Sequence, residues 1–271
     1  MNEYGSRFHS WRSNLPISPQ DQIRTPPIIS SVEPSTSIVN WNVEWARADW
    51  RRVPLLERIH RHAPDVICLT ETHCDFPFPT GHSICSRPDY GYPIKKGRRK
   101  VMLWSKQPWR HDEDLGIDEP PGRFVSGITE TPLGDVTVVG LCIPWFGSRT
   151  EKKRGDERKK PWEDHESFLN ALREVLKKAR RERVIVIGDF NQAIGPGSRA
   201  PVRLRGLLQA IFTADIRIVT SDLVYKGKPT IDHIALSADL GVTSMSVLSN
   251  LREGKELSDH FGLAAQVSTV G

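Results

Sequence analysis

A chain of 271 residues, 38% hydrophobic and with 20 glycines, holds enough apolar material for one large core or two small ones, which excludes wholesale disorder. No run approaches the roughly 18 uncharged apolar residues that a bilayer-spanning helix needs. The formal charge of +5 is local: Lys95, Lys96, Arg98, Arg99 and Lys100 lie within six residues, residues 149–160 carry a net +4, and all else sums to −4. Such placement suits a polyanion-facing surface, with plainly solvated loops as the alternative.

In chain order, residues 1–36 are Pro- and Ser-rich, balanced in charge and without periodicity, and read as a flexible tail. Arg7, Arg12, Asp21 and Arg24 interrupt any apolar run there, which argues against a secretory signal. From Ile38 the pattern predicts strands over Ile38–Val43, Val66–Leu69, Val101–Trp104, Phe124–Thr129, Val136–Ile143, Val184–Ile187, Ile231–Leu236, Val242–Leu248 and Phe261–Val267. Helical spacing predicts Asp49–His62, with Val53, Leu56 and Ile59 on one face, then Glu163–Arg181 and a shorter Val202–Phe212. Many strands with few helices indicate an α/β sandwich over 37–271 in preference to a regularly alternating barrel. Four cysteines, none in a CxxC pair, fit a reduced, cytoplasmic protein without structural zinc.

Polar residues stand at the ends of these apolar strands. Asn42 and Glu44 share one side of the first strand, and the second stops on Glu71. Asp189 and Asn191 share a side after Val184–Ile187, Asp232 and His233 open a further strand, and Asp259 and His260 precede the last. Any one carboxylate there is ordinarily a turn former or cap, and a single histidine such as His233 is ordinarily structural. Together they predict a rim of clustered carboxylates, which asks for a divalent cation; oxygen donors without thiolates favour Mg²⁺ or Mn²⁺.

The segments Trp41-Asn42-Val43-Glu44, Asp65 to Thr72, Gly188-Asp189-Phe190-Asn191, Ile231-Asp232-His233 and Ser258-Asp259-His260 resemble, in this order, the motifs of the endonuclease/exonuclease/phosphatase superfamily. The resemblance covers about residues 37–268 and implies a DNase I-like four-layered α/β sandwich, two packed mixed β-sheets flanked by helices. It implies a Mg²⁺-dependent phosphodiesterase in which Glu71 is the principal metal ligand, with Asn42, Glu44 and Asp259 beside it. Asp189 would activate water, Asn191 hold a phosphate oxygen, and His260, oriented by Asp232, bind the developing negative charge. Cys142 and Trp145 stand where many nucleases of the group carry Tyr and Asn, so Trp145, with Phe146, becomes a candidate to stack on a base or sugar, or else to cap the sheet. Arg149 is a candidate phosphate contact. Nucleic acid is the expected partner, with a phospholipid headgroup or inositol phosphate as the alternative substrate and a non-catalytic binding module as a third reading. No protein partner is implied.

Overall fold

The structure, a computed structural model, describes residues 33–110, 115–150, 158–179, 181–195 and 197–270. Residues 1–32 of the expected tail and 151–157 of the second basic segment lie outside the described residues. Ser35 and Thr36, assigned to the tail by composition, instead open the first strand and pair with Ser268 and Val267.

In chain order come β1 (Ser35–Asn42), α1 (Asp49–His60), β2 (Val66–His73), β3 (His82–Cys85), β4 (Arg98–Ser105), β5 (Trp109–Arg110), β6 (Phe124–Thr131) and β7 (Gly134–Cys142). Then follow α2 (Glu163–Lys178), β8 (Val184–Asp189), α3 (Val202–Ile211), β9 (Ile216–Ile218), β10 (Val224–Tyr225), β11 (Lys228–Pro229), β12 (Asp232–Ser237), β13 (Leu240–Leu248), β14 (Leu251–Arg252), β15 (Lys255–Glu256) and β16 (Gly262–Thr269). One six-stranded sheet runs β13-β16-β1-β2-β4-β3 and the other β5-β6-β7-β8-β12-β9. Both are mixed, since β1/β2 and β7/β8 are parallel and the remaining pairs antiparallel. No helix among the described residues is long and apolar enough to cross a membrane.

Four layers follow from alternation along strands that are apolar on both faces. Ile38, Val66, Cys68, Ile185 and Ile187 point between the sheets. Their neighbours Val39, Ile67 and Leu69 turn outward beneath Leu55 and Ile59 of α1. Val184 and Val186 turn outward beneath Phe168, Leu172 and Val175 of α2 and Leu208 of α3. The buried stripe of α1 is Pro54, Leu55 and Ile59, whereas Val53, expected inward, is 46% exposed. Simple spacing from Ile59 admits either register, and the buried sheet face selects Leu55.

A buried amide pins the two sheets. Asn40 of β1 donates through Nδ2 to the carbonyls of Gly188 (2.9 Å) and His233 (3.2 Å) in the other sheet. Gly188 has φ 150°, and a Cβ there would lie 1.8 Å from the Leu141 carbonyl oxygen. The glycine before Asp189 is therefore dictated by backbone contact. Gly188→Ala should cost on the order of 3 kcal/mol in urea unfolding; a wild-type midpoint would contradict this close approach.

Candidate active site

Parallel strands end where their antiparallel neighbours begin, and this topology builds the rim. Asn42 ends β1, Glu71 lies near the end of β2 and Asp189 ends β8. Asp232 opens β12 directly opposite Asp189. His260 sits just before β16, the antiparallel partner of β1. Ser258 fixes that last segment: its hydroxyl donates to the Asn42 carbonyl (2.6 Å) and accepts the His260 N–H (3.2 Å). Trp41 donates its indole N–H to the His260 carbonyl (2.9 Å).

Asp189, 1% exposed, is the centre. Its Oδ1 accepts the Asn191 backbone N–H (2.8 Å), and its Oδ2 accepts from Asn42 Nδ2 (3.0 Å) and Asn191 Nδ2 (2.8 Å). Burial, and then the charge of Asp232, lift its carboxyl to about 7, against the opposing pull of His260 and the Asn191 N–H. Asn191 also donates through Nδ2 to the Ile143 carbonyl (2.8 Å). Both protons of its amide are thus engaged, which makes Asn191 a positioning group for Asp189 in this arrangement; contact with a phosphate oxygen needs one of those bonds to open.

His260 Nδ1 lies 2.6 Å from Asp232 Oδ2. Burial depresses the imidazole, but the charge and hydrogen bond of Asp232, with Asp189 and Asp259 behind them, overcome this and raise it to about 10. The ring is therefore an imidazolium at neutral pH, with Nε2 directed away from Asp232. The other oxygen of Asp232, Oδ1, is buried with no hydrogen-bond partner among the described residues.

The expected metal ligands divide. Glu71 Oε1 is 2.6 Å from Lys100 Nζ, and its backbone carbonyl accepts the Trp45 N–H (2.6 Å). Lys100 is held over the rings of Trp45 (5.0 Å) and Tyr90 (5.6 Å), which stack on each other. Glu44 turns to Arg51 (2.8 Å), which also binds the carbonyls of Val43, Glu44 and Leu257. Asp259 is exposed, 3.8 Å from His260 Nε2. Glu44, Trp45, Glu71 and Asn191 all take left-handed φ, from 46° to 56°, a strained conformation for non-glycine residues that tends to gather at functional sites.

Three carboxylates thus carry their own cation: Glu71 with Lys100, Asp232 with His260, Glu44 with Arg51. Carboxylate repulsion alone, from which the sequence argues for a metal, does not demand one here. The donors fit one nonetheless. Glu71 keeps part of its side chain exposed beside Lys100, Asp259 is an exposed carboxylate at the same rim, and oxygen donors without a thiolate suit a hard divalent ion. The ligand atoms of Asp189, Asp232 and His260, within 4.8 Å of one another, are instead tied up as a hydrogen-bonded charge cluster.

Other expectations sort by burial. His233 is fully buried between Thr220 Oγ1 (3.0 Å) and the Gln192 carbonyl (3.1 Å), and burial pushes it down to about 4; it is structural. Cys142 is buried, its thiol pushed up to about 12. Trp145 and Phe146 are 50% and 52% exposed, so they do not cap the core. Arg149 is exposed, its backbone N–H donating to the Tyr92 hydroxyl (2.8 Å). Lys159, counted with the basic segment, is instead buried against Asp164 (2.9 Å), which also accepts from Ser148 and Thr150. Asn40, Arg51 and the Lys100–Glu71 contact escape sequence reasoning. The only trace of Lys100 is a basic residue directly before the apolar Val101–Trp104.

The sequence model described as the Endonuclease/Exonuclease/phosphatase family matches residues 39–260. A curated relative, an exodeoxyribonuclease of Bacillus subtilis, is 29% identical over 163 residues, 58% of this chain and 58% of that protein. The chain thus aligns with little more than half the length of that relative. A solved endonuclease/exonuclease/phosphatase from Beutenbergia cavernae superposes with a TM-score of 0.62 at 18% identity, covering 88% of this chain and 72% of that one. The 3′ phosphatase NExo from Neisseria, bound to a product DNA hairpin, gives 0.60 at 18% identity over 85% and 98%. An AP endonuclease from Archaeoglobus fulgidus gives 0.60 at 19% identity over 85% and 98%. These likenesses agree with the DNase I-like arrangement of two six-stranded sheets between helices.

Proposed function

Because the chain belongs to the Endonuclease/Exonuclease/phosphatase family, whose members hydrolyse phosphoester bonds, we propose that it is a Mg²⁺-dependent phosphodiesterase acting on nucleic acid, with Mn²⁺ as a substitute ion. One observation carries this reading: His260, paired with Asp232, and the buried, triply hydrogen-bonded carboxylate of Asp189 converge within 4.8 Å on a rim built by both sheets. The substrate class is supported by the nuclease relative and by the basic segments 95–100 and 149–160, less Lys100 and Lys159, which are buried against Glu71 and Asp164.

A phosphodiester is anionic and repels a nucleophile, and water is a weak one at neutral pH. Asp189, held by Asn42 and Asn191, accepts the proton of the attacking water. His260, kept charged and oriented by Asp232, donates through Nε2 to the non-bridging oxygen on which charge builds. A divalent ion, when bound, supplies further neutralisation of that oxygen; Glu71 would hold it once released from Lys100, with Asn42 and Asp259 alongside, whereas Glu44 is committed to Arg51. The free thiols, with Cys68 and Cys142 buried, support a reducing, cytoplasmic setting.

The test offers purified protein, with Mg²⁺ or with EDTA, single-stranded DNA, duplex DNA, RNA, sphingomyelin and an inositol phosphate. Hydrolysis of a nucleic acid that EDTA abolishes is the expected result. With about three phosphates neutralised, affinity for that strand should fall on the order of tenfold between 50 and 200 mM salt. Turnover of the lipid or inositol ester alone would move the assignment to headgroups, and no turnover of any of them would favour a binding module.

A further inference from the structure

Two groups of aromatic residues flank the rim, and they differ in what their rings already touch. Trp45 stacks on Tyr90 at 6.1 Å, and Arg98 (4.5 Å) and Lys100 (5.0 Å) lie over its ring. Those faces are used internally, to hold Lys100 against Glu71. Trp145 and Phe146 meet edge to face at 4.9 Å, and each is half exposed. Among the described residues no Lys or Arg lies over either ring.

The position of this second pair is fixed to the catalytic segment. The Ile143 carbonyl accepts Asn191 Nδ2. The Pro144 carbonyl contacts His165 Nδ1 (2.7 Å), whose Nε2 reaches Gln192 Oε1 (3.1 Å). The Phe146 carbonyl accepts the Trp162 N–H (2.9 Å). The indole packs against Gly147, where a Cβ would lie 2.5 Å from its ring. Trp145 is therefore a half-exposed aromatic surface two residues from the carbonyl that holds Asn191, and exposed Arg149 follows it four residues on.

Resting on the nucleic-acid reading above, we propose that the substrate is single-stranded, and that an unpaired base next to the scissile phosphate stacks on Trp145. Inside a duplex both faces of a base are covered by its neighbours, so an exposed ring gains nothing from it. An unpaired base presents a free π-face of any sequence, and nearby positive charge follows its backbone. Binding in this mode tolerates sequence and rejects paired strands.

The experiment measures binding of a fluorescein-labelled oligonucleotide by anisotropy in EDTA, as the single strand and as its blunt duplex, and cleavage of both with Mg²⁺. The single strand should bind at least about tenfold tighter. Trp145→Ala should weaken it about tenfold, the effect of one lost base–aromatic stack, and Trp145→Phe should restore most of the loss. An abasic nucleotide placed at successive positions should cost wild type as much at one position, and cost Trp145→Ala nothing further there. Equal binding and cleavage of duplex would overturn the single-strand inference while leaving the nuclease reading intact. Absence of cleavage of any nucleic acid would instead remove the reading beneath it. Unchanged single-strand affinity in Trp145→Ala would overturn the stacking role.

Discussion

Asp189→Asn should lower the rate of phosphodiester hydrolysis on the order of 10³-fold while the fold survives. On the proposed mechanism the change removes the group that accepts a proton from water and keeps its size. The amide oxygen can face Asn42 and Asn191 Nδ2, but its nitrogen then points at the Asn191 backbone N–H, losing one of three hydrogen bonds at about 1 kcal/mol. The charge term has the opposite sign. Burial and Asp232 raise the carboxyl of the ion-free protein to about 7, so its contribution to stability is fully present below the unfolded value near 4 and is lost as pH rises through 7. In EDTA the variant should accordingly be less stable than wild type at pH 4 and more stable than it at pH 8. Urea midpoints at the two pH values check the balance, and a wild-type turnover rate would end the claim that Asp189 is the base.

His260→Ala should cost about 10²–10³ in rate, the usual loss on removing one donor to developing charge. It also exposes the pair to a pH test. The imidazole of the ion-free protein titrates near 10 because Asp232 outweighs the effect of burial. A folded value above the ordinary one near 6.5 means stability fully present below pH 6.5 and lost as pH rises toward 10. Wild type in EDTA should therefore lose stability between pH 6.5 and 9.5, and His260→Ala should lose much less over that window, having begun lower. Activity should fall on the alkaline side only as pH nears 10. A variant that hydrolyses at the wild-type rate, or keeps the full alkaline loss of stability, would show that the imidazolium plays neither part.

The layered fold was legible because strands buried on both faces write themselves as unbroken apolar runs, as in Val184–Ile187. The strand from His82 to Cys85 was not, since its residues are exposed or half-buried at the sheet edge and show no apolar face. Polar residues closing apolar strands disclosed Asp189, Asp232 and His260, because a carboxylate after a buried run has to end at a rim. Their partners were hidden for a physical reason. Arg51 reaches Glu44 from a helix, and Lys100 meets Glu71 from the neighbouring strand, from within a basic run that read as a polyanion-facing surface or a solvated loop. Sequence spacing carries direction along one strand, and says little about which cation another strand brings alongside.

The contact between Lys100 and Glu71 makes the arrival of a divalent ion an exchange. A metal reaching that carboxylate must evict an ammonium already seated there and clamped by two aromatic rings, so its net electrostatic gain is smaller than at a bare acid. That carboxylate is neutralised by the ammonium beforehand. On the metal-dependent reading proposed above, assembly and activation would thereby be separate events for this polypeptide: it would reach its native form in ion-poor surroundings and be switched on afterwards by supply.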